Sequence, residues 1–382
     1  MKLFFDTAAM LNYPCGIAVY VKQLLREFIK YPDFEIHTGF KTLSYKKHAS
    51  LQQILLENVD KKIKYHSLYL PGRFPLTRLQ KIIATKYDVA HFTSNVIPPY
   101  LPYSDITKSV ITIHDMYPWY KNFDQGDFIS RSYNLQHLPE QAQKCAAVVT
   151  VSEFSKKEII KYLGIPSEKI HVIPNATQWK VSLPEFSDIL SQYGLVEKSY
   201  FLSVSSLGVH KNYPNLCKAF AHFRASSDYN GEKLVIVGNR RPGDDDVYAA
   251  ISSTPDVIHI PRVSEAELRY LYAKAKGFFL VSKLEGFGIP LLEAMSCHTP
   301  ACYGKGNSMD EIGRDAAVGV EPDDIDGIAD VFRYFSAAPA DLETRVEKAY
   351  QISQEYTWQS TAEKHYKLYQ RVYENVYAVA HE

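Results

Sequence analysis

Glu285 and Glu293 flank the segment Gly286-Phe287-Gly288-Ile289-Pro290, a spacing that suits a ligand combining sugar hydroxyls with a diphosphate. The segment follows an apolar run, GFFLVSK, that reads as a strand. Pro290 fits the first turn of a helix, where its missing N–H is not needed. Two glycines let the backbone approach a ligand closely. Free amides at the helix start, reinforced by its dipole, attract an anion such as phosphate. One carboxylate then lies on each side of the anion site, and carboxylates accept hydrogen bonds from hydroxyls. A ligand with a sugar at one end, a ribose at the other and a diphosphate between them fits this arrangement. The same residues also describe an ordinary Gly-rich turn, with Glu285 at the surface and Glu293 complementing the helix dipole. A second pair, His114 and Asp115, closes the strand SVITIHD and reads as a general-base dyad or as a satisfied strand end. Asp244, Asp245 and Asp246 are consecutive carboxylates in a strand-to-helix loop, expected to face solvent, and no metal site is expected.

An alternating βα pattern places these residues. MKLFFDTA, DVAHFTS, SVITIHD, AAVVTVS and KIHVIPNAT read as strands of a first half, separated by amphipathic stretches. SYFLSVSS, KLVIVGN, VIHIPRV and GFFLVSK do the same in a second half, and Ala317–Val320 adds a strand. The pattern predicts an α/β protein with two Rossmann-like domains facing each other across a cleft. Ser152 reads as the N-cap of the helix EFSKKEIIKYL. The last segment, TWQSTAEKHYKLYQRVYENVYAVA, is a long amphipathic helix with aromatic residues on its apolar stripe. Open parallel sheets bind ligands beyond the carboxyl ends of their strands, which is where both Glu285 and His114 fall.

Bulk properties narrow the class. A chain of 382 residues suits two domains, and 46% hydrophobic with 23% charged residues is a globular balance. Lys+Arg and Asp+Glu both number 43, and this zero net charge argues against broad electrostatic binding of nucleic acid. No apolar run approaches the roughly 20 residues of a membrane span. The N-terminus lacks a long apolar core and a small-residue cleavage site, so no signal peptide is expected. Five scattered cysteines without a CxxC pair or zinc spacing read as reduced thiols of a cytoplasmic protein.

Residues 285–293 read E-G-F-G-I-P-L-L-E, and CGIAVYVKQLL, ITIHDMYP, VVTVSEFSKKEI, EKIHVIPNA, SVSSLGVHKNYPNLCKAF and DAAVGVEPDD accompany them in a fixed order. With these motifs the chain resembles the retaining GT-B glycosyltransferases of family 4, often mannosyltransferases of bacterial surface-polysaccharide assembly. The family signature commonly reads E-G-F-G-L-P-x-x-E, and Ile289 stands in place of its Leu. The resemblance covers nearly the whole chain. It implies an N-terminal acceptor domain of residues 1–178, completed by a C-terminal helix (362–382) that crosses back to it, with Trp358 as an anchor at the crossing. Residues 179–361 would form the nucleotide-sugar donor domain.

The resemblance also assigns roles. Glu285, His114 and Lys211 become the catalytic candidates: Glu285 contacts the donor sugar, His114 lies near that sugar or the leaving phosphate, and Lys211 binds the diphosphate and offsets leaving-group charge. Glu293 contacts the ribose, and the amides of Gly286, Phe287, Gly288 and Ile289 hold sugar and phosphate. Ser308 and Met309 lie, after Asn307, in a loop with donor-binding amides, and Val263 contacts the base. Gly16 lets its loop approach the donor phosphates, with Ala18 where the family has a second loop glycine. Two positions depart from the pattern. Ser206 and His210 stand where the family has arginines, and a neutral imidazole is a weaker phosphate ligand.

The function so implied is transfer of a hexose, mannose by family frequency, from a nucleotide diphosphate sugar to a saccharide or lipid-linked saccharide acceptor. GDP-mannose is the favoured donor, with no cofactor. A glycoside hydrolase using the glutamate pair, a sugar-nucleotide epimerase and a phosphorylase are the alternatives. Residues 61–87 are rich in Lys and Arg and contain no Asp or Glu. They read either as a basic amphipathic surface for the inner face of a membrane or a lipid-diphosphate acceptor, or as a solvated helix and loop packed by Leu76, Leu79, Ile82 and Ile83.

Overall fold

The computed structural model describes the chain except residues 8, 11–15, 43–63, 70–86, 96–102, 121–127, 178, 180–187, 241–242 and 380–382. The chain divides into two units, one of Met1–Trp119, Ile129–Asn175 and Thr357–Glu382, the other centred on Ala176–Tyr356. The long stretch of the second unit runs from Ala176 to Tyr356, and Tyr120 and Phe128 are grouped with it as well.

In the first unit β1 (Lys2–Asp6), β2 (Glu35–Thr42), β3 (Lys64–Tyr69), β4 (Val89–Phe92), β5 (Ser109–Thr112), β6 (Ala147–Thr150) and β7 (Ile170–Val172) form a parallel sheet in the order β3-β2-β1-β4-β5-β6-β7. In the second, β8 (Tyr200–Val204), β9 (Lys233–Val237), β10 (Val257–Ile260), β11 (Gly277–Leu280), β12 (Ala301–Gly304) and β13 (Val318–Val320) run parallel in the order β10-β9-β8-β11-β12-β13. Strands covered on both faces need continuous apolar runs rather than alternation, and β4, β5, β6, β11 and β12 are buried at every residue. The strand order reverses between β1 and β4 and again between β8 and β11. Such a switch point leaves a crevice at the strand carboxyl ends, because the connections on its two sides lead to opposite faces.

The core of the second unit is aromatic. Phe279 stacks on Phe332 with ring centroids 3.9 Å apart, and Phe201 meets Phe332 edge-on at 4.8 Å. Each such pair adds about 0.5–1.5 kcal/mol beyond the area it buries.

The first unit is closed by the C-terminal helix Trp358–Val379, which packs on the first helix, Gly16–Phe28. The expected crossing back is therefore present, and Trp358, 5% exposed, lies 6.3 Å from the Tyr20 ring. The seam between helix and sheet is polar yet fully buried. His365 Nδ1–H donates to Thr361 O at 2.8 Å, which leaves His365 Nε2 to accept from Tyr20 OH at 2.8 Å. Thr112 Oγ1 then donates to Tyr20 OH (3.1 Å), His91 Nε2–H donates to Thr112 Oγ1 (2.7 Å), and Tyr369 OH donates to His91 Nδ1 (2.6 Å). With both imidazoles neutral, only this direction of donation satisfies every group. Burial supplies that condition, holding His365 down at about 4 and His91 well below the ordinary range.

Local signals behave as expected at the helix Glu153–Leu163: Ser152 Oγ accepts from Ser155 N at 3.1 Å, and Gly164 ends the helix in the left-handed region at φ 64°. The basic segment 61–87 lies outside the described residues except for β3 and Tyr87. Residues 64–69 are a strand, not part of a helix and loop, whereas Leu76, Leu79, Ile82 and Ile83 fall outside the description.

Candidate active site

Lys211 and Glu285 leave the two strands that flank the switch point of the second sheet, β8 and β11. After β8 the chain makes a tight turn, Val209–Lys211, and Asn212 takes the left-handed conformation at φ 64° before the helix Tyr213–Arg224. Asn tolerates that region better than most residues. Its side chain secures the turn by donating to Val281 O at 3.1 Å and Pro322 O at 2.5 Å. Lys283 N, beyond β11, donates to His210 O at 2.8 Å. The two loops are thereby fastened to each other, and Lys211 Nζ reaches Glu285 Oε1 at 2.6 Å with side chains only 14% and 11% exposed. Ser282 Oγ donates to the same oxygen at 2.8 Å, while Ser308 Oγ donates to the Glu285 carbonyl at 2.8 Å.

Downstream, Gly288 adopts φ 102° at the N-cap of the helix Ile289–Ser296, and a Cβ there would lie 2.7 Å from Met309 Cγ. Glycine is required on both counts. The amides of Phe287, Gly288 and Ile289 have no hydrogen-bond partner among the described residues, so the helix start offers free donors to an anion. Asn307 braces the neighbouring loop: its Nδ2 donates to Gly304 O (3.0 Å) and Ser282 O (3.3 Å), and its Oδ1 accepts from Met309 N (3.0 Å).

One turn into the helix, the half-buried Glu293 accepts a hydrogen bond from Tyr272 OH at 3.1 Å. Burial pushes its carboxyl up to about 8, against the smaller lowering effect of the Tyr272 bond. Trp179 packs edge-on against Tyr272 at 5.2 Å and helps fix the phenol. Val263 is half-buried between β10 and Ser264, whose side chain and Glu267 form a capping box. The His210 ring lies over Gly208, so near that a Cβ on Gly208 would be 2.7 Å from its Cε1.

The remaining candidates belong to the first unit. His114, 7% exposed, follows β5 and donates from Nε2 to Thr93 O at 2.9 Å. Since a carbonyl only accepts, Nε2 carries the proton and Nδ1 the lone pair, and burial holds the ring neutral by lowering its pKa. Asp115 Oδ1 accepts from Tyr117 N at 3.0 Å, and no hydrogen bond joins the two side chains. The dyad reading therefore has no geometric basis. Gly16 is exposed and opens the first helix, whereas Ala18 is fully buried inside it and is not a loop residue. Among the described residues no group of three His, Cys, Asp or Glu could hold a metal. Asp244 is not solvent-facing as expected: it is 4% exposed at the start of a helix, while Asp245 pairs with Arg240.

The second sheet thus brings together Lys211, Glu285, Ser308 and the Gly288 turn, with Glu293 one helical turn away. Sequence reading missed Ser282, Tyr272 and the side-chain roles of Asn212 and Asn307. Ser282, three residues before Glu285 at a strand exit, was the one available hint.

Comparison with known proteins matches two sequence families in succession. Residues 14–178 match Glycosyltransferase Family 4, and residues 187–352 match Glycosyl transferases group 1. The chain belongs to glycosyltransferase family 4. Its two matched segments take in Gly16 and His114 on one side and Lys211, Glu285 and Glu293 on the other. The O-antigen chain mannosyltransferase B of Escherichia coli is 29% identical over 240 residues, 60% of this chain and 61% of that protein. The O-antigen chain mannosyltransferase RfbU of Salmonella typhimurium is 31% identical over 222 residues, 57% and 58% respectively. The match thus spans about three fifths of the length of these relatives. Among solved structures, HepE from Anabaena, crystallised with UDP and glucose, aligns with a TM-score of 0.75 at 17% identity over 97% of this chain and all of that one. A sucrose-phosphate synthase from Thermosynechococcus elongatus aligns with a TM-score of 0.75 at 16% identity over 98% of this chain and 100% of that one. The fold is GT-B, as the motifs implied. Among the described residues no helix is long and apolar enough to cross a membrane.

Proposed function

We propose that the protein is a retaining mannosyltransferase that moves mannose from GDP-mannose to a saccharide or lipid-linked saccharide acceptor of a surface polysaccharide. The observation that carries this reading is the Lys211–Glu285 contact at 2.6 Å beside the partnerless amides of Phe287, Gly288 and Ile289. A cation, a carboxylate and a helix start at one switch point match a sugar joined to a diphosphate better than a plain glycoside. The mannosyltransferase names of the bacterial relatives support the choice of sugar.

On this reading Lys211 and the free amides take up the charge that grows on the leaving diphosphate as the bond from the sugar's anomeric carbon breaks. The acceptor oxygen bonds to that carbon on the same face, and its proton passes to the departing phosphate oxygen. The protein's part is positioning and charge stabilisation, with no dedicated base. Glu285 suits orientation rather than attack, because Lys211 and Ser282 already hold its Oε1. His114, neutral with its lone pair on Nδ1, would accept from a sugar hydroxyl.

A thermal-shift screen against GDP, UDP, ADP and dTDP sugars tests the donor, since a ligand of the folded state raises its melting temperature. GDP-mannose should give the largest shift. NMR of the glycosylated product should then show the donor's anomeric configuration retained. A product of inverted configuration, or free mannose released from a glycoside without any nucleotide, rejects the reading.

A further inference from the structure

We propose that Ser282 is a positioning residue for the transfer, holding Glu285 by Oε1 so that Oε2 alone meets the donor sugar once Lys211 turns to the diphosphate. The inference rests on the donor-site reading above. In the structure Glu285 Oε1 accepts from both Lys211 Nζ (2.6 Å) and Ser282 Oγ (2.8 Å), and Oε2 has no hydrogen-bond partner among the described residues. The ion pair is largely shielded, so its charges are strongly felt, and an incoming diphosphate competes with Glu285 for the same ammonium. As Lys211 moves over, the carboxylate loses its counter-charge and one of its two donors. A neutral hydroxyl can stay, because it does not compete for the phosphate.

Ser282 is built to stay. It is fully buried at the exit of β11, and its carbonyl accepts from Asn307 Nδ2, the side chain that also braces Gly304 and Met309. Ser308, beside that Asn307, grips the Glu285 carbonyl at 2.8 Å. Glu285 is therefore clamped at both ends by uncharged serines, Ser282 at the carboxylate and Ser308 at the main chain, while its one cationic partner is free to exchange.

Calorimetric titration of wild type, Ser282→Ala and Ser282→Thr with GDP and with GDP-mannose, alongside initial transfer rates, tests the idea. GDP affinity should stay within about threefold of wild type in all three, because GDP has no sugar for Glu285 to orient. Ser282→Ala should lose about tenfold in GDP-mannose affinity and about 10–100-fold in kcat, and Ser282→Thr, which keeps the hydroxyl, should recover most of both. Should the alanine variant fail to fold, Ser282→Cys, near-isosteric and a poor donor, carries the same comparison. A folded Ser282→Ala or Ser282→Cys enzyme that matches wild type overturns the inference. Equal weakening of GDP and GDP-mannose also overturns it, since that marks a merely structural serine. A wild-type protein that binds neither compound removes the donor reading itself, whereas a working transferase indifferent to Ser282 sinks only the present proposal.

Discussion

Replacing Glu293 by glutamine should stabilise the protein at alkaline pH and change little near pH 5. Burial lifts this carboxyl from its ordinary 4.5 to about 8. Between those values the folded protein holds a proton that the unfolded chain has released, so stability falls as pH rises through the window, and the penalty is complete above its upper end. A wholly buried carboxyl shifted that far would cost about 5 kcal/mol at the plateau. Glu293 is only half-buried by surface area, so solvent screens part of that cost, and about 1–2 kcal/mol is the expected residue. Glutamine keeps an oxygen to accept from Tyr272 and has no charge to desolvate. Thermal unfolding of both proteins at pH 5 and pH 8.5 reads the difference: the variant should gain about 2–8 °C at the higher pH and near nothing at the lower. The same variant should bind GDP about tenfold more weakly if the ribose meets this carboxylate. An identical offset at both pH values, or a glutamine variant less stable at pH 8.5, refutes the burial argument.

Three other outcomes follow from the site. Glu285→Ala should lower transfer by about 100–1,000-fold with an unchanged circular dichroism spectrum, and a purified variant at the wild-type rate would remove Glu285 from the site. His114→Ala should lower kcat/KM by about 10–100-fold, and by the same factor at pH 7 and pH 8, because burial lowers the pKa of the wild-type ring and favours its neutral form. A loss that appears at only one of these pH values would mean a titrating histidine instead. Gly288→Ala combines a positive φ with a Cβ 2.7 Å from Met309 Cγ, and should cost about 2–4 kcal/mol in urea unfolding. A cost below about 1 kcal/mol would show that the turn can relax.

Much of this was legible in the chain because the signals were periodic or local. Continuous apolar runs announced the parallel strands, Ser152 announced its helix, and the E-G-F-G-I-P-L-L-E segment brought its own turn and helix start. The strands β2 and β3 escaped notice, since Glu35–Thr42 and Lys64–Tyr69 mix polar and charged residues into runs without a clean period. At the site, the lost information concerned where side chains point. Nothing in the spacing says that Ser282 turns back onto Glu285 across three residues, or that Tyr272 reaches Glu293 from another helix. Asp115 illustrates the converse: adjacency to His114 suggested a dyad, but a turn amide took its carboxylate. Ala18 was placed in a loop by analogy, whereas Gly16 begins the helix two residues earlier. Such pairings depend on which elements meet, and that is settled by packing.

The polar seam beneath the C-terminal helix has a consequence for how the protein is made. Tyr20, His91 and Thr112 emerge from the ribosome before the second unit, but His365 and Tyr369 emerge only after it. Until they arrive, the early sheet has donors and acceptors that must stay hydrated, because leaving each dry and unmatched costs about 1–3 kcal/mol. The single stretch Ala176–Tyr356, by contrast, holds all six strands of the second sheet. The sheet encoded second is therefore the first able to finish folding, and a chain cut before Trp358 would carry a sound second sheet beside a first half that never closes.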